Sequence, residues 1–289
     1  MSPLPPRRFE ALARRSLALA AGLLCAALFL GLSPREARAD TTVSLFKSFA
    51  GNINYVTTGN TLRAAPNNTY AGGNACTLLS GNTGTSVDAG TSSSPLSGIP
   101  AGSTIVAAYL YYAGSGATVD SAVTFNGTNV TASRTFTSTT GGHNFFSGFV
   151  DVTSLVTGNG TYSFGGLSVD DAAADNCANS TVLAGWALAV VYSNSSEKSR
   201  VINFFDGFEA FAGSSITLTP NNFQIPSTGI DGKFSVITWE GDPDINSTNG
   251  VNNLTETLEF NGNVLSDACN PTADTSLPNG SNGGVFVSG

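Results

Sequence analysis

The residues best suited to chemistry in this chain are oxygen donors. Asp242-Pro243-Asp244-Ile245-Asn246 sets three oxygen-bearing side chains at alternate positions, the spacing with which a turn aims every second side chain at a hard cation. Asp242, Asp244 and Asn246 are therefore candidate metal ligands, with Ca²⁺ the cofactor they would take. The pattern is incomplete: Ser247 stands where such a loop needs glycine, and Asn253 where it needs a bidentate glutamate. An ordinary Asp/Asn-rich turn is the competing reading. Asp170, Asp171 and Asp175 form a second acidic loop beside Cys177.

Acid, base and nucleophile are harder to assemble. His143, the only histidine, sits in Gly141-Gly142-His143-Asn144. A Ser-His-Asp triad would have to use it, and no Gly-x-Ser-x-Gly elbow accompanies it. An exposed loop histidine is the simpler reading, and one histidine with widely spaced cysteines makes no zinc site. Glycoside hydrolysis needs two carboxyl groups flanking a bond; Glu209, Glu240, Glu256 and Glu259 are available, but nothing in the sequence pairs any two. Glu240 follows the aromatic run ending at Trp239. Tyr109, Tyr111, Tyr112, Trp186 and Trp239 have faces that stack on sugars, yet Tyr111 and Trp186 lie in strands apolar on both sides and read as core. The sequence thus gives no catalytic residues, and the expectation is a protein that is not an enzyme.

The compartment is written at the start of the chain. Arg7, Arg8, Arg14 and Arg15 precede an apolar run from Leu17 to Leu32, followed by Pro34 and Ala37-Arg38-Ala39. This is the basic, apolar, small-x-small order of a secretory signal peptide, so residues 1–39 are expected to be removed and the protein to be exported. An uncleaved anchor is the alternative, because the run is close to the roughly 17-residue minimum for spanning. No second apolar stretch exists, so no transmembrane span is expected after cleavage. From residue 40 onward six basic side chains face eighteen acidic ones, a net charge of −12. A surface of that sign, without clustered Lys or Arg, argues against nucleic-acid binding.

Cys76, Cys177 and Cys269 remain after cleavage. An oxidising compartment favours a disulfide, and Cys76 with Cys177, both in Asn/Ala/Gly-rich loops, is the expected pair. Cys269 is left over.

These groups must be positioned by strands. Ile105–Ala113 and Val182–Tyr192 are apolar at both alternating positions, as central strands covered on each side are. Val123-Thr124-Phe125 runs into Asn126-Gly127 and Val130, a hairpin whose Asn-Gly pair supplies the positive φ angles of a type I′ turn. Leu258–Leu265 repeats the device with Asn261-Gly262. The fold class expected is all-β, an antiparallel β-sandwich of jelly-roll character. The repeated hairpin marks two related sandwich units, residues 40–180 and 181–289. The second reads as truncated, since Val285-Phe286-Val287 has strand character near the end.

Asp151-Val152-Thr153-Ser154-Leu155-Val156, then Gly158-Asn159-Gly160 and Tyr162-Ser163-Phe164, resembles a short signature of galactose-binding-like jelly rolls and carries no ligand residues. Over a longer span, Ala107–Tyr112, Phe146–Thr153, Leu183–Leu188, Val201–Gly207 and Leu218–Phe223 resemble uncharacterised β-domains at the N-terminus of large bacterial surface proteins with immunoglobulin-like repeats. That resemblance implies a surface or adhesion role and no established chemistry. The functional expectation is an exported, adhesin-like, non-catalytic binding module whose partner is an extracellular glycan or protein. A carbohydrate-active protein, either a sugar-binding module or a glycoside hydrolase, and a self-assembling surface-layer or filament subunit are the alternatives.

Overall fold

The computed structural model describes residues 41–64, 77–172, 176, 181–210, 215–221, 227 and 232–239, together with the backbone of 259–260 and 263–264. By its contacts the chain separates into residues 1–39 and 40–289, and all described residues belong to the second unit. The strands are β1 (Thr41–Thr61), β2 (Val87–Asp88), β3 (Thr91–Leu96), β4 (Thr104–Ser115), β5 (Ala122–Phe125), β6 (Thr128–Thr131), β7 (Arg134–Thr140), β8 (His143–Asp151), β9 (Gly160–Gly165), β10 (Ser168–Val169), β11 (Ala184–Ser193), β12 (Ser199–Phe208), β13 (Glu259–Phe260) and β14 (Asn263–Val264). A 3₁₀ turn, Thr153–Leu155, follows β8. Among the described residues no helix is long and apolar enough to cross a membrane.

The strands form an antiparallel β-sandwich. One sheet has six strands in the order β12-β1-β11-β4-β8-β7, the other four in the order β3-β9-β5-β6; β2 pairs with β10, and β13 with β14. The two-sided apolar strands take the central places expected of them. On β4, Ala108, Leu110 and Tyr112 face the four-stranded sheet, and with Trp186 of β11 they meet its Phe125, Tyr162 and Phe164 in the core. The intervening Ala107, Tyr109, Tyr111 and Ala113 face a second apolar cluster with Phe136, Phe149, Val191 and Ile202. A period of two with apolar groups in both phases leaves no solvent face, which is why both layers are needed.

The first half of β1 builds the second cluster. Residues 53–61 pair with β11, whereas 41–52 pair with β12 through two register irregularities. This sends Phe46 and Phe49 over Tyr109, with ring centroids 5.8 and 6.3 Å apart. At the other end of β1, Thr58 Oγ1 donates to the Pro95 carbonyl at 2.9 Å and Asn60 Nδ2 to the Ser93 carbonyl at 2.9 Å, joining β1 to β3 of the opposite sheet.

The turn chemistry read from the sequence is present. Asn126 and Gly127 have φ of 49° and 72°, and β5 pairs with β6 around them. Glu259 pairs with Val264 and Phe260 with Asn263; the Asn261-Gly262 pair itself lies outside the described residues. The Asp151–Val156 motif has a structural role. Asp151 Oδ1 accepts from the Thr153 N–H at 3.0 Å, and Thr153 Oγ1 accepts from the Ala108 N–H at 2.9 Å, tying the end of β8 to β4.

The two-unit division is corrected by the sheet order. β11 and β12, assigned by sequence to a second unit starting at 181, flank β1 and β4 in the six-stranded sheet, so the boundary at 180/181 cuts through one sandwich. The Asn126-Gly127 hairpin is a demand of the type I′ turn and carries no unit boundary with it.

Gly148 pairs with Tyr112 across β4 and β8, and a Cβ placed there would overlap the fully buried Tyr112 ring. Gly148→Val is expected to destabilise the fold by about 2–3 kcal/mol or more through overpacking, read from chemical denaturation midpoints, while Gly160→Val, where a Cβ meets nothing within 4 Å, serves as the neutral control.

Candidate functional site

Asp242, Asp244 and Asn246, and both Cys76 and Cys177, lie outside the described residues, as do Asp175, Glu240 and Glu256. Asp170 and Asp171 are described and follow β10 directly. His143 is the first residue of β8 and is half-buried, opposite Thr140 at the Gly141-Gly142 turn. The structure therefore corrects the exposed loop histidine to a hairpin-end residue. Glu209 is occupied: its Oε1 accepts from the Val43 N–H at 2.7 Å, fastening the start of β1.

The aromatic residues are core, as the two-sided pattern of their strands requires. Trp186 is fully buried, stacks on Phe164 at 5.9 Å, and donates its Nε1–H to Ser92 Oγ at 2.9 Å. Tyr112 is equally buried and donates to the Asp120 carbonyl at 2.8 Å. Trp239 packs, half-buried, on the second cluster.

Two polar constellations escaped sequence reasoning. Arg134, first residue of β7, meets Asp206 of β12 in a two-pronged ion pair, Nη1 with Oδ2 and Nη2 with Oδ1 at 2.8 Å. Its guanidinium carbon lies 4.2 Å from the centroid of the Phe46 ring, in cation–π range. The Tyr111 hydroxyl donates to Asp206 Oδ2 at 3.3 Å. The pair joins the two edge strands of the six-stranded sheet, so the sheet coils around its own aromatic cluster. Residues 72 apart in sequence, each ordinary in its local context, gave no signal of this.

The second constellation sits on the turn between β11 and β12. Glu197 accepts from Arg200 Nη1 at 2.7 Å, from the Tyr192 hydroxyl at 2.9 Å and from Asn54 Nδ2 at 3.2 Å. The Arg200 hydrogen bond, above all, holds its carboxyl below the usual range. Asn52 Nδ2 donates to the Glu197 carbonyl at 2.6 Å. These contacts fix the bend of β1 and the 194–198 turn together.

Beside that bend opens a groove of about 510 Å³. Phe49 and Asn52 of β1, Thr104 and Val106 of β4, Ser193 at the end of β11 and Ser195 just after it line it, and no lining residue is charged. Val106 is 38% exposed. Gly51, with φ of 142°, lets β1 change partners here from β11 to β12. The arrangement offers hydroxyl and amide groups beside a small apolar surface on a rigid sheet, which suits an uncharged polar ligand. The Gly51-Asn52 pair inside a strand pattern was its one sequence signal.

Comparison of the chain with protein-family models, with curated proteins and with solved structures finds no match.

Removing one partner of the edge lock strands the other charge. Asp206 is 6% exposed, while the Arg134 side chain is about a third exposed, so Arg134→Ala is expected to cost about 3 kcal/mol, measured by urea denaturation. The Arg134→Met/Asp206→Leu pair is expected to recover most of that loss.

Burial pushes the Tyr111, Tyr112 and Tyr192 hydroxyls above the ordinary phenol value, Tyr192 to about 12, with Asp206, Asp120 and Glu197 adding to the effect in turn. The folded state then holds protons that the unfolded state has released, so stability is full below pH 10 and falls as pH rises through 10 to 12. Absorbance at 295 nm is expected to show these three tyrosines ionising only together with alkaline unfolding.

Proposed function

We propose that this chain is an exported, non-catalytic binding module of the cell surface or extracellular space, holding an uncharged polar ligand in the groove beside the β1 bend. The observation that carries the reading is the groove itself: neutral, open, lined by Asn, Ser and Thr, and built on strands clamped by the Glu197 and Arg134 networks. Among the described residues, three carboxylates are engaged in holding backbone. Asp120 accepts from the Ala122 and Ser168 N–H groups, Asp151 from Thr153, and Glu209 from Val43.

Export is supported by the leader pattern of residues 1–39. The adhesin-like resemblance and the Cys76–Cys177 disulfide belong to the same reading, because both fit an oxidising, extracellular setting. Within it, a glycan is the favoured ligand over a protein. Val106, exposed beside hydroxyl and amide groups, supplies the apolar and polar surfaces that the two sides of a sugar ring require.

Three readouts on one expression culture test this. Protease applied to intact cells is expected to degrade the chain, and thiol titration of exported material to count one free thiol where three would mean no disulfide. A glycan array is expected to show binding that Val106→Arg abolishes without loss of folding, and no release of reducing sugar. Complete protection of the chain in the cytosol would overturn the reading.

A further inference from the structure

Among the described residues Asp171 has no cationic partner. The residue is 1% exposed. Its Oδ1 accepts from the Gly84 N–H at 2.6 Å, and its own N–H donates to the Gly84 carbonyl at 3.0 Å. Its Oδ2 is buried and makes no hydrogen bond. Neither protonation state satisfies that oxygen. An ionised carboxylate would be a buried charge with no counter-ion, and a protonated one would carry an O–H with no acceptor.

A second carboxylate is held next to it. The Asp170 N–H donates to the Ser115 carbonyl at 2.8 Å, and Ser115 Oγ donates to the Asp170 carbonyl at 2.7 Å. The Asp170 side chain is thus presented from a fixed backbone, with only Oδ1 engaged, by the Ala172 N–H at 3.1 Å. Burial, and then the Asp170 charge, push the Asp171 carboxyl above its usual range. Among the described residues no lysine or arginine pairs with either acid. The β2–β10 pairing, Val87 with Val169 and Asp88 with Ser168, holds the 81–86 loop against this acidic pair, so the uncompensated charge cannot relax outward without breaking the ladder.

We propose that Asp171 Oδ2 is a ligand of a divalent hard cation, Ca²⁺, bound between Asp170-Asp171 and the 81–86 loop. Ca²⁺ accepts six to eight oxygens, many of them main-chain carbonyls and water. Among the described residues no three carboxylate, histidine or cysteine side chains converge, so the shell beyond the two aspartates is carbonyl and water. That composition gives the weak affinity of extracellular calcium modules, with Kd on the order of 10⁻⁴–10⁻³ M. The ion's role is structural: it locks residues 170–172, directly after β10, onto the loop before β2. This inference stands apart from the groove and its ligand.

The test is calorimetric titration of CaCl₂ into the EDTA-stripped exported chain, with thermal unfolding alongside. One site in that affinity range is expected, with Tm raised by roughly 3–6 °C at ten times Kd. Asp171→Asn is expected to weaken binding at least tenfold, while the Asp242→Asn/Asp244→Asn pair leaves this site unchanged. Absence of heat and of a Tm rise at about 10 mM Ca²⁺, or undiminished binding by Asp171→Asn, would overturn the proposal. Should Asp171→Asn not fold, two further readouts decide. Asp170→Asn is expected to weaken binding several-fold, and Ca²⁺ to slow amide exchange at Gly84 and Asp171 in the wild-type chain. Unchanged exchange at both amides would overturn the proposal equally.

Discussion

Burial of one pair of strands on both faces is the constraint from which the architecture follows. β4 and β11 are adjacent in the six-stranded sheet and present apolar side chains in both phases of their alternation. Exposing either face would leave Tyr112, Trp186 and Leu188 on one side, or Tyr109, Tyr111 and Val191 on the other, in water, at about 25 cal/mol for every Å² of apolar surface. The four-stranded sheet covers the first face. The second is covered by the outer half of β1, β12 and residues 232–239, with Ile237 and Trp239 packed on it. A long β1 that changes partner midway is the economical way for one strand to serve both the sheet and its cover.

That solution creates the polar features of the fold. Folding a ribbon over the outer face brings the edge strands β12 and β7 together. Arg134 and Asp206 close that approach, with Phe46 beneath the guanidinium. A ladder of main-chain hydrogen bonds would also have closed it; an ion pair stacked on aromatic rings does so at one point, and leaves the strands free to diverge elsewhere. The same change of partner leaves the 194–198 turn standing beside the bend of β1. Glu197 gathers Tyr192, Asn54 and Arg200 there. The groove lies where the two paths separate, so its shape follows from the need to cover β4 and its rigidity from the turn network.

Conserving charge inside such a fold is demanding, and the two buried acids meet the demand differently. Asp206 has Arg134 and Tyr111 within hydrogen-bond reach. Asp171 has only backbone amides, chiefly that of Gly84, and a neighbouring acid. Residues 40–289 carry eighteen acidic and six basic groups, and the proposed Ca²⁺ supplies the counter-charge that Asp171 lacks among the described residues.

Much of this was legible in the residues themselves, because strand burial and turn type are set locally. The period-two pattern of Ile105–Ala113 and Val182–Tyr192 required central strands, and Asn126-Gly127 required a type I′ hairpin, since only positive φ at both positions matches strand twist. Tyr111 and Trp186 were core for the same reason. Tertiary structure alone decided which distant strands pair. It placed β11 and β12 against β1 where the sequence divided them into another unit, because a repeated hairpin reports its turn and says nothing of its neighbours. It alone brought Arg134 to Asp206 and left Asp171 without a counter-charge, since electrostatic partnership depends on distance in space and burial, and neither is encoded in spacing along the chain.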